Sequence, residues 1–76
     1  MSITVLAFAQ ARDLFGFSSR EIPCDPAETP RELLLRLRPD ADLSHLRVAL
    51  DCEFAAWDDA LGSARELAII PPVSGG

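Results

Sequence analysis

Apolar and polar positions alternate along the first stretch, and the residues are short and β-branched, so Ser2–Ala9 reads as a strand. Ile3, Val5 and Ala7 point one way and Thr4, Leu6 and Phe8 the other. Ala9–Phe15 fits a short helical turn stopped by Gly16. A second strand is expected over Phe17–Cys24, ended by Pro23 and Pro26. The period then changes. Leu33, Leu34 and Leu37 share one helical face. Thr29 suits the N-cap, Pro30 the first helical position, and Glu32 completes a capping box. Arg36 and Arg38 favour the negative end of the helix, and Pro39 forbids continuation. The helix should begin within two residues of Thr29 and end by Arg38. After a polar loop, Pro39–Ser44, the segments Arg47–Leu50 and Glu53–Trp57 read as strands around a tight turn at Asp51–Cys52. Leu67–Ile70 is a last strand, cut off by Pro71.

The order β, β, α, β, β, β gives an α+β domain. One main helix covers one face of a mixed sheet of about five strands. The crossover through Leu33–Leu37 makes the first and last strands parallel neighbours. Residues 1–76 form a single domain with no internal repeat or linker. One face of the sheet is left without a second layer. Leu6, Phe8 and Ile70 lie on it with Thr4, Glu66 and Ala68, and Phe54 can join them. Large apolar side chains on an uncovered face mark an interface.

Composition narrows the chemistry. The net charge is −5, from twelve acidic and seven basic residues. That disfavours nucleic acid, whose phosphates would repel the chain, and suits a partner with a basic surface. All seven basic residues are arginine, so no side chain of these 76 residues offers an amine. Cys24, His45 and Cys52 are one ligand short of a four-coordinate zinc site, so no metal is expected. The two thiols read as buried or half-buried and reduced. The start, MSITVLAF, lacks the basic segment of a secretion signal, and no apolar run reaches membrane-spanning length. A cytoplasmic protein is the expectation. No phosphate-binding loop and no nucleophile–base pair is recognisable.

The end of the sequence, PPVSGG, poses its own question. Pro71 and Pro72 fix their backbone and favour an extended path. Residues 72–76 can span at most about 17 Å. Gly75 and Gly76 have no side chains and can thread a channel too narrow for other residues. A stiff stem with a thin tip, residues 70–76, suits delivery of the Gly76 carboxylate into another protein's active site.

Three stretches carry a resemblance: VLAFAQARDLFG (5–16), the helix from Thr29, and AIIPPVSGG (68–76). With them the chain resembles the MoaD-type sulfur carriers, the small subunits of molybdopterin synthase, across nearly its whole length. The resemblance implies a β-grasp (ubiquitin-like) fold. It implies that an E1-like enzyme adenylates Gly76, and that a sulfur donor, such as a cysteine desulfurase or rhodanese-like protein, converts the adenylate to a thiocarboxylate. The loaded tail then gives its sulfur to a pterin precursor in the large subunit, within a heterotetramer of two small and two large subunits. On that reading Pro71, Pro72, Val73, Ser74 and Gly75 bind as the tail, and Leu6, Phe8, Phe54 and Ile70 dock. The chain is a non-catalytic carrier that binds no cofactor. Its covalent state is a thiocarboxylate or an AMP adduct on Gly76. A thiamine-pathway sulfur carrier and a ubiquitin-like protein modifier are the alternatives. Two positions depart from the family pattern. Asp51 stands where Asn is common, and Ala64–Arg65 stand where Gly–Asp is common. The second implies a different turn before the last strand.

Overall fold

A computed structural model describes residues 1–71. Seven elements follow in order: β1 (Ser2–Ala7), α1 (Gln10–Phe15), β2 (Ser19–Pro23), α2 (Pro30–Leu37), β3 (Arg47–Leu50), β4 (Glu53–Ala55) and β5 (Glu66–Ile70). The strands form one sheet in the order β2-β1-β5-β3-β4. β1 and β5 run parallel at its centre and the other pairs are antiparallel. This is the mixed five-stranded sheet expected from the order of elements, in the β-grasp arrangement that the resemblance implies.

The inner face holds the core. Ile3, Val5 and Ala7 of β1 and Leu67 and Ile69 of β5 are buried in one cluster with Leu33 and Leu34 of α2. The two-residue alternation of β1 therefore sorts its side chains as the sequence pattern implies. α2 begins where its capping chemistry places it. Thr29 Oγ1 accepts from the Glu32 amide at 3.1 Å, and Glu32 Oε1 accepts from the Thr29 amide at 2.9 Å. The helix ends at Leu37, with Arg38 as its C-cap before Pro39.

Several boundaries differ from expectation. β1 stops at Ala7, so Phe8 lies just past the strand. The expected helical turn is α1, a six-residue helix against eight for α2. It buries Ala11 alone, whereas α2 buries Pro30, Leu33 and Leu34, so α2 remains the covering helix. β2 starts at Ser19 because Phe17 is held half-buried against the core, 6.5 Å from the Phe15 ring. Pro23 closes β2 at the edge of the sheet, where no neighbour needs its missing N–H. β4 ends at Ala55, because Trp57 has turned back and its carbonyl accepts from the Arg31 amide at 3.2 Å. Cys24 is half-buried as expected, but Cys52 is exposed at a hairpin tip; both are free thiols.

Candidate functional site: the outer sheet face and the root of the tail

Strand register arranges the outer face in rows. One row crosses the sheet as Ser19, Leu6, Ala68, Ala49 and Phe54. Ala49 is only 6% exposed yet stands outside the inner core cluster. Its small side chain sits in register between Ala68 and Phe54. Phe54 itself is 73% exposed. A second row lies one step nearer the end of β5. Ile70 pairs with Arg47, and Phe8 follows Ala7, which pairs with Ile69. Phe8 is 49% exposed. On the far side of the apolar row, Thr4 lies in register with Glu21 and Glu66. The outer face thus grades from two carboxylates, through an apolar strip, to an arginine where the chain leaves the sheet.

Two strained backbones shape this surface. Ala9 has φ 48° and ψ −118°, the conformation a type II′ turn demands of its first central residue. The turn closes with the Ala11 amide donating to the Phe8 carbonyl at 3.0 Å, so that α1 starts two residues after Phe8, with Ala9 as its N-cap. Alanine in that region costs about 1–3 kcal/mol. The second is the β3–β4 turn. Asp51 and Cys52 have φ 49° and 70°, both left-handed, as a two-residue type I′ hairpin requires. The Asp51 carboxylate also accepts from the Arg65 and Glu66 amides at 2.9 and 3.1 Å. It ties the hairpin that presents Phe54 to the start of β5. An oxygen is all these amides need, so Asp serves where Asn is common. Ahead of β5 the left-handed residue is Gly62, at φ 59°, and Ala64 is packed into the core. That is the different turn implied by Ala64–Arg65.

Of the expected interface residues, Leu6, Phe54 and Ile70 share one face of the sheet by register, Leu6 and Ile70 half-buried, and Phe8 is exposed just beyond the end of β1. Pro71, also half-buried, continues from β5. The remaining tail residues, Pro72, Val73, Ser74, Gly75 and Gly76, lie outside the described residues. Arg47 at the tail root and Ala49 within the strip escaped the sequence reading. Nothing short of the strand register puts them beside Ile70 and Ala68.

Other constellations are structural. Asp42 Oδ1 accepts from both the hydroxyl and the amide of Ser44, at 2.6 and 3.0 Å. These bonds hold the carboxyl below its ordinary range and make it a weaker base. Together they form a local turn. A groove of about 410 Å³ between α2 and this loop is lined by Arg31, Leu35, Ala41, Leu43 and Trp57 among others. Its wall also holds the Ser44–Asp42 pair, where the lowered carboxyl is a weak base and the hydroxyl is already engaged in the local turn. Among the described residues no three His, Cys, Asp or Glu side chains gather as a metal site. Nor, among the described residues, is any helix long and apolar enough to cross a membrane.

The sequence model of the ThiS family matches residues 5–76, all but the first four positions. The chain belongs to the ThiS family. Solved structures agree with this ThiS-family fold over its full extent. SAMP1 from Haloferax volcanii is 28% identical, with each chain fully covered and a TM-score of 0.76. A candidate molybdopterin converting factor, subunit 1, from Pyrococcus furiosus is 20% identical, covers 96% of this chain and 99% of its own, and has a TM-score of 0.75. Small archaeal modifier protein 1 from Methanosarcina acetivorans is 19% identical, with 99% and 96% covered and a TM-score of 0.70. The last two show likeness of fold alone. This ThiS-family chain is thus a ubiquitin-like domain of the sulfur-carrier or modifier type.

Proposed function

We propose that the chain is the sulfur carrier of molybdopterin synthesis. An E1-like enzyme adenylates the Gly76 carboxylate with loss of pyrophosphate. A cysteine desulfurase or rhodanese-like protein supplies the sulfur; its persulfide sulfur displaces AMP to give an acyl disulfide, and a thiol reductant then cleaves the S–S bond and leaves a thiocarboxylate. The large synthase subunit takes the loaded tail and passes the sulfur to a pterin precursor. The chain supplies the docking face and the acyl group; the acids, bases and nucleotide site belong to its partners. The carrier binds no cofactor, works in the cytoplasm, and pairs with the large subunit as a heterotetramer.

The observation that carries this reading is the family match reaching Gly76, with an exposed apolar strip at the point where the tail departs. A carboxylate is a poor acyl donor, and the described residues hold nothing that would activate it. Activation must come from a partner, and a partner needs a surface to grip. Leu6, Phe8, Phe54 and Ile70 provide one, and it serves each partner in turn.

A second reading has a specific observation behind it. The 28% identical, fully covered neighbour is SAMP1, and a modifier would spend the same adenylate on an amide with another protein. A thiamine-pathway carrier would pass its sulfur to a different acceptor. The deciding experiment incubates the chain with its activating enzyme, ATP and sulfur donor. Intact mass with fragmentation then looks for exchange of one oxygen for sulfur at Gly76. The loaded chain is next offered to the large subunit with its pterin precursor. Sulfur in the pterin supports the proposal. Loading without transfer, or amide conjugates in its place, refutes it. One appended alanine moves the acyl carbon by about 3.5 Å and should abolish loading. Gly75→Val should also fail, because it thickens the tail. Normal loading of the extended chain, without trimming, would sink the mechanism.

A further inference from the structure

We propose that Arg47 and the groove beside it form the anchor that orients the docked partner. Arg47 takes a carboxylate from a protein face whose adjoining apolar side chain fills the groove, and the acidic end of the strip takes a basic group from the same face. This deepens the proposed docking and rests on it.

The arginines of this chain are not equivalent. Arg31, Arg36 and Arg38, on α2 and at its C-cap, are each held by a carboxylate, Asp58, Glu28 and Asp40. Of the others, Arg12 lies on α1, Arg65 precedes β5, and Arg20 pairs with Val5, whose side chain faces the core. Arg47 shares the outer face with the apolar strip, in register with Ile70. It is exposed, and no carboxylate among the described residues holds it. It lines a groove of about 320 Å³ whose other walls are Ser44, Leu46, Phe54, Ala55 and Trp57. None of those is acidic and two are aromatic, so the cation borders an apolar hollow that supplies no anion.

The opposite end of the strip carries the opposite sign. Glu21 and Glu66 flank Thr4 in one row. Asp51 adds a carboxylate there, bonded to the amides of Arg65 and Glu66, so the end stays net acidic despite Arg65. Glu66 is four steps from Ile70 along β5, and Arg47 stands one strand beyond. That sets the Glu66 and Arg47 backbones about 14 Å apart, farther than the Debye length of about 8 Å at physiological salt, so the two charges do not neutralise each other.

The consequence is direction. Apolar contact is non-directional, so the row from Leu6 to Phe54 holds a partner without fixing its heading. A cation at one end and carboxylates at the other fix it. Turned end for end, the partner would set carboxylate against carboxylate and its basic group against Arg47, which disfavours that pose. In the favoured pose a partner carboxylate meets the planar guanidinium through two parallel hydrogen bonds. Ile70 and Pro71 then leave the sheet beside that contact. Heading matters most to the large synthase subunit, which must receive the chain where it leaves β5. The net charge of −5 separates this anchor from general attraction to a basic surface, because Arg47 has the sign opposite to that of the whole chain.

The test measures Kd between the full chain and the large synthase subunit at low and high salt, by calorimetry. Arg47→Glu should weaken binding at least about tenfold at low salt, and by much less at high salt, where charge is screened. Glu66→Arg should weaken it as well. Arg20→Glu makes the same change in net charge from a position off the outer face, and should stay within about twofold. Arg47→Gln brings no repulsion and serves should the reversal disturb the fold; it should weaken binding at least about threefold with an unchanged melting temperature. Attraction by net charge alone gives the other sign, with Arg47→Glu binding as well as the wild type or better. That result, or equal effects of Arg47→Glu and Arg20→Glu, or an Arg47→Gln chain that binds like the wild type, overturns the inference and leaves docking intact. A wild-type chain that does not bind the large subunit overturns the proposed docking and this inference together.

Discussion

Phe54→Ala separates docking from folding. Phe54 is 73% exposed. Of a phenylalanine's roughly 200 Å², about 150 Å² faces solvent and about 50 Å² packs on the sheet. At about 25 cal/mol per Å², a partner that covers the ring gains at most about 3.8 kcal/mol from it. The fold gains only about 1.3 kcal/mol. Truncation should therefore weaken association by about 1–3 kcal/mol, a factor of roughly 5–150 in Kd, since area seldom converts fully into affinity. Phe8, at 49% exposure, divides its area about evenly between fold and surface, so Phe8→Ala should cost both by similar amounts. Titration calorimetry against the activating enzyme and against the large synthase subunit measures the first effect, and urea unfolding the second. If Phe54→Ala leaves both affinities within twofold while the domain stays folded, the outer face is not the docking surface. If it costs more than about 3 kcal/mol of stability with affinity intact, the ring belongs to the core and the row Leu6–Ala68–Ala49–Phe54 has been misjudged.

Asp51→Ala leaves the Arg65 and Glu66 amides without their acceptor and should lower stability by about 1–2 kcal/mol in urea. Asp51→Asn keeps an oxygen in place and should cost less than half of that; equal losses would mean that charge, and not the acceptor, matters. Cys52→Gly relieves a left-handed backbone at φ 70° and should stabilise by about 1 kcal/mol, and Ala9→Gly, at φ 48°, by a similar amount; a drop in melting temperature for either would contradict the strain argument. Burial raises the Cys24 thiol pKa, helped by the nearby Glu28 carboxylate. The fold thus favours the protonated thiol, and its contribution is present below pH 9 and lost as the pH rises through the folded value. Iodoacetamide at pH 8 should alkylate exposed Cys52 first, with Cys24 lagging; reversed order by peptide mapping would refute the assignment.

Legibility in this chain follows the range of the physics involved. Thr29, Glu32 and Pro39 announce α2 because caps and helix breakers act within a few residues, and the structure begins and ends the helix beside them. The alternation in β1 is equally local, and Ile3, Val5 and Ala7 do face inward. The turn at Asp51–Cys52 was found from its neighbours, but the carboxylate's bonds to Arg65 and Glu66 reach fourteen and fifteen residues ahead and have no local signature. The exposure of Cys52 is hidden from the sequence for the same reason. Composition favours burying a thiol, yet a two-residue hairpin puts both turn side chains outside. The proposed docking surface is the extreme case. Leu6 and Phe54 lie forty-eight positions apart in sequence and become members of one row only because β5 and β3 stand between them in register. Pattern can show that each has an apolar side chain with no inner place to go. Only the register shows that they meet, that Ala68 and Ala49 bridge them, and that Arg47 stands where the tail begins. A surface assembled by register is also one that a single slip would dismantle, since a shift by one residue sends every side chain of a strand to the other face. The clamp from Asp51 onto β5 therefore bears on the proposed docking as well as on stability: it helps fix the register that keeps the strip and the root of the tail together.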